Sequence, residues 1–218
     1  ALLKALDPLL QRDGNLRDLL LQRLGQDLSA QLAGMDEARG VETEVTEKID
    51  LLLVAELPVT QLAQSILDEL LIIPGLAAAW LGEPDGRGGL RILASIGAGM
   101  SSDLEVGEIR IDGGETARGP AGRAWHLAQP VIVDDIHTYP HFGPWLEAAR
   151  ARGWRSTASI PILLGERIQA ILGLYSTLPG FFSNPQRQRL LQHLAVMLGI
   201  ALRRLEQHRH LEQVHGLY

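Results

Sequence analysis

Leucine recurs every fourth residue at Leu16, Leu20, Leu24, Leu28 and Leu32, with Leu19 and Leu21 widening the stripe. That spacing keeps one face of a 3.6-residue helix apolar, so helix is expected through the first 57 residues. Asp13-Gly14-Asn15 reads as a turn and cap ahead of it, and Gly34 and Gly40 as points that loosen its middle. Val41, Val45, Ile49, Leu52 and Leu53 continue at helical spacing up to Pro58, which cannot donate an interior hydrogen bond. Thr60 is the expected cap of a second helix with Leu62, Ile66, Leu70 and Ile73 on one face.

The period changes after Pro74-Gly75. Short apolar runs at 76–81 and 90–96, separated by Gly82-Glu83-Pro84-Asp85-Gly86, read as a hairpin. Pro120 suits the first position of a short helix over 121–128, and Pro130 opens a strand at 131–133. A helix is expected over 144–152, ended by Gly153. Strands over 155–163 and 168–176 flank the tight turn Gly165-Glu166-Arg167. Ser183-Asn184-Pro185-Gln186 starts a last helix that runs past Arg209, with Ser183 or Asn184 as its cap. Leu191, Leu194, Leu198, Ala201 and Leu205 follow the 3–4 spacing of a coiled-coil seam and mark the expected dimer helix.

Composition narrows the class. Net charge is −6, which argues against a nucleic-acid surface. Residues 1–56 carry six Lys/Arg against eleven Asp/Glu, so the acidity sits on the first helices. No cysteine is present, which removes disulfides, thiolate metal sites and thiol catalysis and fits a cytoplasmic chain. No apolar run approaches the roughly 18 residues of a membrane span, and no leader is visible around Lys4 and Asp7. The chain starts without Met inside a helix pattern, so it reads as a piece of a longer protein.

The order of elements from Gly119 to Ser176 carries a resemblance. Pro130-Val131, Val133, Asp135-Ile136, Phe142, Gly153, Arg155-Ser156 and Ser159-Ile160-Pro161-Ile162 together resemble bacterial GAF domains, and the likeness extends over about 58–208. It implies an α+β fold: a six-stranded antiparallel sheet with helices packed on one face, preceded by the N-terminal helical segment 1–57 and followed by a tail at 209–218. A ligand pocket is implied on the other face, roofed by residues 105–155. Such domains sit between others in histidine kinases, diguanylate cyclases or cyclic-di-GMP phosphodiesterases and dimerise through their first and last helices. The cyclic-nucleotide branch of the family carries Asn-Lys, Phe and Asp-Glu; here Phe142 is followed by Leu146-Glu147, and no Asn-Lys pair precedes it. The bilin-binding and methionine sulfoxide reductase branches need the cysteine that this chain lacks.

Candidate ligand-pocket residues under that roof are Trp125, Asp135, His137, Tyr139, Phe142, Trp145, Trp154, Arg155 and Ser156. The five aromatics among them either line a pocket or close the core. Asp134, Asp135, His137 and His141 are the densest set of metal-ligand types, and Asp135 reads more simply as a turn acceptor for backbone N–H groups. His126, His137 and His141 are the candidates for haem; His193, His208, His210 and His215 are expected to face solvent. Arg150, Arg152 and Arg155 suit a ligand carboxylate or phosphate, or pairing with Asp134, Asp135 or Glu147. No nucleophile elbow or phosphate loop is present, and Gly113-Gly114-Glu115 reads as a loop.

The expected function is a non-catalytic sensory, regulatory and dimerisation module of a bacterial signalling protein. It would act as a homodimer, with an unidentified small ligand and an output domain in the same full-length chain, and no cofactor is assigned. The alternatives are a haem or metal sensor or enzyme using His137 and His141, and a GAF domain without ligand.

Overall fold

The computed structural model describes residues 14–55, 57–97, 109–114 and 116–215. The Asp13 cap, residues 98–108 with the first part of the expected roof, Glu115 and residues 216–218 lie outside them, as do the side chains of the leucine stripe from Leu16 to Leu32 and that of Leu205. Packing divides the chain into Ala1–Val41 and Glu42–Tyr218. In the first unit the described residues are helical from Gly14 onward, as the leucine spacing predicts, and the helix runs through Gly34 and Gly40.

Helix α1 (Gly14–Val54) ends in the second unit. Its last turns belong to that unit's core, where Val45, Ile49 and Leu53 are buried. The other elements are α2 (Val59–Leu70), β1 (Leu76–Pro84), β2 (Leu90–Gly97), α3 (Pro120–Leu127), β3 (Val131–Val133), α4 (Leu146–Ala151), β4 (Ser156–Leu164), β5 (Arg167–Ser176) and α5 (Pro185–His215). Short 3-10 turns lie at 116–118, 136–138, 143–145 and 181–183.

Two caps differ in instructive ways. Pro58, not Thr60, is the N-cap of α2: the Leu62 N–H bonds the Pro58 carbonyl at 2.8 Å and no side chain caps the helix. Asn184 caps α5, its Oδ1 accepting from the Gln186 N–H at 2.8 Å, and Ser183 is free for another role.

The strands form one antiparallel sheet in the order β2-β1-β5-β4-β3. Among the described residues it has five strands rather than six. Among the described residues after β2, the chain rejoins the sheet edge as an isolated bridge between Gly89 and Arg110. That bridge is held by the Leu90 N–H to the Ile109 carbonyl at 3.1 Å and the Ile111 N–H to the Gly88 carbonyl at 2.9 Å. Two bonds do not make a strand.

Alternation along the strands divides the core into two layers. Ala79, Leu81, Ala158, Ile160, Leu172 and Leu174 face the layer of α2 and α5. There α2 contributes Leu62, Ala63, Ile66, Leu67 and Leu70, the 3–4 spacing read from the sequence. Leu191, Leu194, Leu198 and Ala201 of α5 are also buried within the chain. This corrects the reading of those four as a free dimer seam. Burial against the chain's own sheet and burial against a partner require the same 3–4 stripe. Where α5 crosses β4, a Cβ on Gly199 would lie 2.3 Å from the Leu163 carbonyl oxygen.

Polar clips tie the end of α1 to its neighbours. Arg187 Nε donates to Glu42 Oε1 at 2.9 Å, His193 Nε2 lies 2.8 Å from Asp50 Oδ1, and Lys48 reaches Glu69 at 3.7 Å. The contact orders 42 to 187 and 50 to 193 make this part of α1 run parallel to α5. Buried serines hold one end of the sheet. Ser176 Oγ donates to the Gly75 carbonyl at 2.6 Å and accepts from the Leu178 N–H at 3.0 Å, while Ser156 Oγ donates to the Leu178 carbonyl at 2.7 Å.

The opposite face carries Ala78, Trp80, Val131, Val133, Thr157, Ser159, Ile171 and Gly173. Trp80 lies across Gly173, where a Cβ would sit 2.1 Å from its indole ring. Gly173→Ala therefore has no room unless the indole or the strand shifts. We expect it to lower stability by about 1–3 kcal/mol, the usual range for overpacking, and to red-shift tryptophan emission as Trp80 loses burial. Urea unfolding followed by fluorescence reads both.

Candidate functional site

The face under the roof holds a second core of its own. Ala121 and Ala124 of α3, Val131 and Val133 of β3, Ile136, Phe142, Ala149 and Trp154 pack on Ala78, Trp80 and Ile171 of the sheet. Small residues let α3 approach closely. Beyond its end Ala128 turns left-handed, φ 50°, which redirects the chain into β3. A Cβ on Gly119 would lie 2.5 Å from the Trp145 ring, so this glycine leaves the space the ring fills.

Most of the sequence-predicted residues do gather here, in different roles. Phe142 is buried and meets Trp145 edge-on, with ring centroids 5.8 Å apart. Trp125, Trp145 and Tyr139 are partly buried against the same core. The Tyr139 hydroxyl accepts from Arg123 Nη1 at 2.7 Å, and its ring meets His141 edge-on at 6.0 Å. Trp154 is buried and stacks on Tyr175, centroids 4.1 Å apart and planes 9° apart, with the Arg152 guanidinium 5.4 Å from the Trp154 ring centre.

Asp135 accepts the His137 N–H at 3.0 Å and caps the 136–138 turn, and its other oxygen accepts from Arg155 Nη2 at 2.9 Å. Of the two roles open to Arg155, the structure thus uses the pairing with Asp135. The Arg155 hydrogen bond, followed by that of the His137 N–H, holds the Asp135 carboxyl below its ordinary value and raises Arg155 in turn.

Ser156 is a correction. By alternation it faces the α2/α5 layer, opposite to Thr157, and its hydroxyl is engaged by the Leu178 carbonyl. His137 and His141 are both exposed, and so is His126. His141 lines an open cleft of about 330 Å³ with Gly114, Arg118, Pro140, Gly143 and Pro144. Among the described residues no three His, Cys, Asp or Glu side chains come together as a metal set.

Sequence reasoning missed Trp80, Gly173 and Tyr175. Each is ordinary in its own strand, and only the register Trp80↔Gly173 and Ala78↔Tyr175 brings them together. Burial pushes the Tyr175 phenol up, partly offset by the Trp80 indole and the Arg152 charge. Three buried nitrogens of this site, Trp154 Nε1, Arg152 Nε and Arg155 Nε, have no hydrogen-bond partner among the described residues, a state that buried donors rarely keep.

The layered fold, with a roofed aromatic face opposite a helical one, can be compared with known proteins. The GAF domain family model matches residues 56–203. The chain belongs to the GAF domain family. Solved structures agree on the fold. The nlh2 GAF domain of A. aeolicus, crystallised in an inactive state, is 16% identical with a TM-score of 0.63, covering 76% of this chain and 98% of that one. The GAF domain of a phosphoenolpyruvate-protein phosphotransferase from Coxiella burnetii is 18% identical with a TM-score of 0.61, covering 81% and 97%. Free methionine-R-sulfoxide reductase from Neisseria meningitidis, in complex with its substrate, is 20% identical with a TM-score of 0.62, covering 76% and 90%. No curated protein matches the chain. No described helix is long and apolar enough to cross a membrane.

The lowered Asp135 pKa has a consequence for acid stability. A carboxylate depressed in the folded state stabilises the fold above its unfolded pKa, near 3.8, and that contribution is lost as pH falls through the folded value. Asp135→Asn should flatten the stability profile below about pH 4, whereas the parent protein falls more steeply. Urea midpoints measured from pH 5 to pH 3 and below check this, and parallel profiles would contradict it.

Proposed function

We propose that this chain is a non-catalytic GAF sensory and dimerisation module of a bacterial signal-transduction protein. The reading is of a small ligand held between the roof and the sheet, whose presence is relayed through the terminal helices to an output domain. The observation that carries it is the Trp154 N–H, buried with no partner among the described residues and set in the stack of Arg152, Trp154 and Tyr175. A buried donor without a partner is costly, and a ligand with a carbonyl or carboxylate oxygen would satisfy it. With no cysteine in the chain, thiol chemistry is unavailable. Cytoplasmic residence remains part of this proposal.

Homodimerisation is retained with a different contact surface. The stripe buried inside the chain leaves Val196 and Ile200 exposed one turn apart on α5, and Leu51 and Val54 exposed on α1, with fractional exposures of 44–70%. Val196 and Ile200 also line a groove of about 320 Å³ with Leu163, Leu164, Ala195 and Gly199. An apolar face of this kind fits the same face of a second copy in an isologous contact.

Native mass spectrometry of the gently purified protein tests both halves. We expect a mass of two chains plus a small molecule. Val196→Asp with Ile200→Asp should give monomers of unchanged circular dichroism, because neither side chain is in the core. Trp154→Phe should weaken ligand retention by roughly five- to thirtyfold, the equivalent of one or two kcal/mol. Bare dimers that resist every small-molecule library would leave a dimerisation module without a ligand, and a bare monomer at micromolar concentration would remove the dimer.

A further inference from the structure

We propose that the dipeptide Asp134-Asp135 is a two-armed anchor that couples the roof of the pocket to the paired terminal helices. The inference deepens the sensory reading above and rests on it for its biological purpose. The coupling itself is a property of the chain alone.

The two carboxylates follow β3 and engage opposite partners. Asp135 holds the roof: it caps the 136–138 turn through the His137 N–H, pairs with Arg155, and its carbonyl accepts from Thr138 Oγ1 at 3.1 Å. Asp134 holds the start of the exit helix. Its carbonyl accepts from the Gly180 N–H at 2.8 Å, and its carboxylate accepts from Ser183 Oγ. Neighbouring residues share a planar peptide, so a displacement of one anchor is passed to the other unless a single pair of backbone torsions absorbs it.

The connection between β5 and α5 is built to respond. Leu178 is tied at its N–H by Ser176 and at its carbonyl by Ser156, and both serines are fully buried. That end is fixed. Two residues on, Gly180 adopts φ 65° and the chain from there to Ser183 is held by Asp134. A fixed end, a glycine in the left-handed region and a polar tether to Asp134 make a pivot.

Arg187 receives the movement. Its Nη1 donates to the Phe181 carbonyl at 3.1 Å, its guanidinium lies 3.8 Å from the centre of the Phe181 ring, and its Nε holds Glu42 of α1 at 2.9 Å. The side chains of this ion pair are only 19% and 12% exposed, so solvent screens it little. One guanidinium therefore joins the 181–183 turn, the exit helix and the entry helix.

Amide hydrogen exchange on the full chain, read by mass spectrometry, tests the coupling without any ligand. Asp135→Ala should speed exchange in 136–155 and also in 180–190, by about fivefold or more, the lower end of measured site-to-site couplings. In an Asp134→Ala background the same change should still loosen 136–155 but no longer alter 180–190. Linkage requires reciprocity: Ser183→Ala, an exposed and mild change, should speed exchange at 136–139. The proposal fails if the effect of Ser183→Ala stops within 178–190, and it fails if Asp135→Ala reaches 180–190 equally well without Asp134. Should Asp135→Ala not fold, Asp135→Asn and Ser183→Ala decide the matter by the same criteria. Failure here leaves ligand binding untouched, whereas bare dimers that resist every small-molecule library would sink the ligand reading and leave this coupling standing.

Discussion

The indole of Trp80 lies in the space that Gly173 leaves on the neighbouring strand, and the arrangement of the roofed face depends on that contact. A large ring laid flat on the sheet fills the floor of the second core. Tyr175, two residues along β5 on the same face, then continues the aromatic surface, and Trp154 stacks on it. Hydrophobic area on this scale is a main source of stability for such a layer. It also sets the chemistry of the site. Its described side chains are largely aromatic and aliphatic, and the Arg152 guanidinium lies 5.4 Å from the Trp154 ring centre.

A second constraint acts at the end of the sheet where β4 starts and β5 stops. Ser156 and Ser176 are polar residues in a buried position, tolerated because each hydroxyl has a backbone partner. They bind the turn before β1, the connection after β5 and the first residue of β4 into one corner. The roof arrives at the same corner through Ile136, whose N–H bonds the Arg155 carbonyl at 2.7 Å, and Arg155 donates its own N–H to the Ser176 carbonyl at 2.7 Å. Roof, sheet and exit helix therefore share backbone contacts within a few residues.

Family membership rests on sequence over 56–203 and on a fold shared with proteins at 16–20% identity. Those neighbours include both a GAF domain in an inactive state and a reductase, so the scaffold alone leaves function open. In this chain the described side chains of that face are mostly aromatic and aliphatic, and there is no cysteine.

The sequence by itself determined the elements and their order. Four-residue leucine spacing, apolar runs bounded by glycine and proline, and the Ser183-Asn184-Pro185 start are local signals, and local energetics sufficed to place the helices, the strands and the Asp135 turn. Tertiary structure decided what lies across a gap. Ser156 belongs to the helical layer because side chains alternate, and a difference of one residue in register changes the face. Leu191, Leu194, Leu198 and Ala201 are internal because an apolar stripe does not specify whether its cover is the chain's own sheet or a second copy. Trp80, Gly173 and Tyr175 became a site only through strand pairing between residues nearly a hundred positions apart. Such contacts depend on register and layer order, which no single segment encodes.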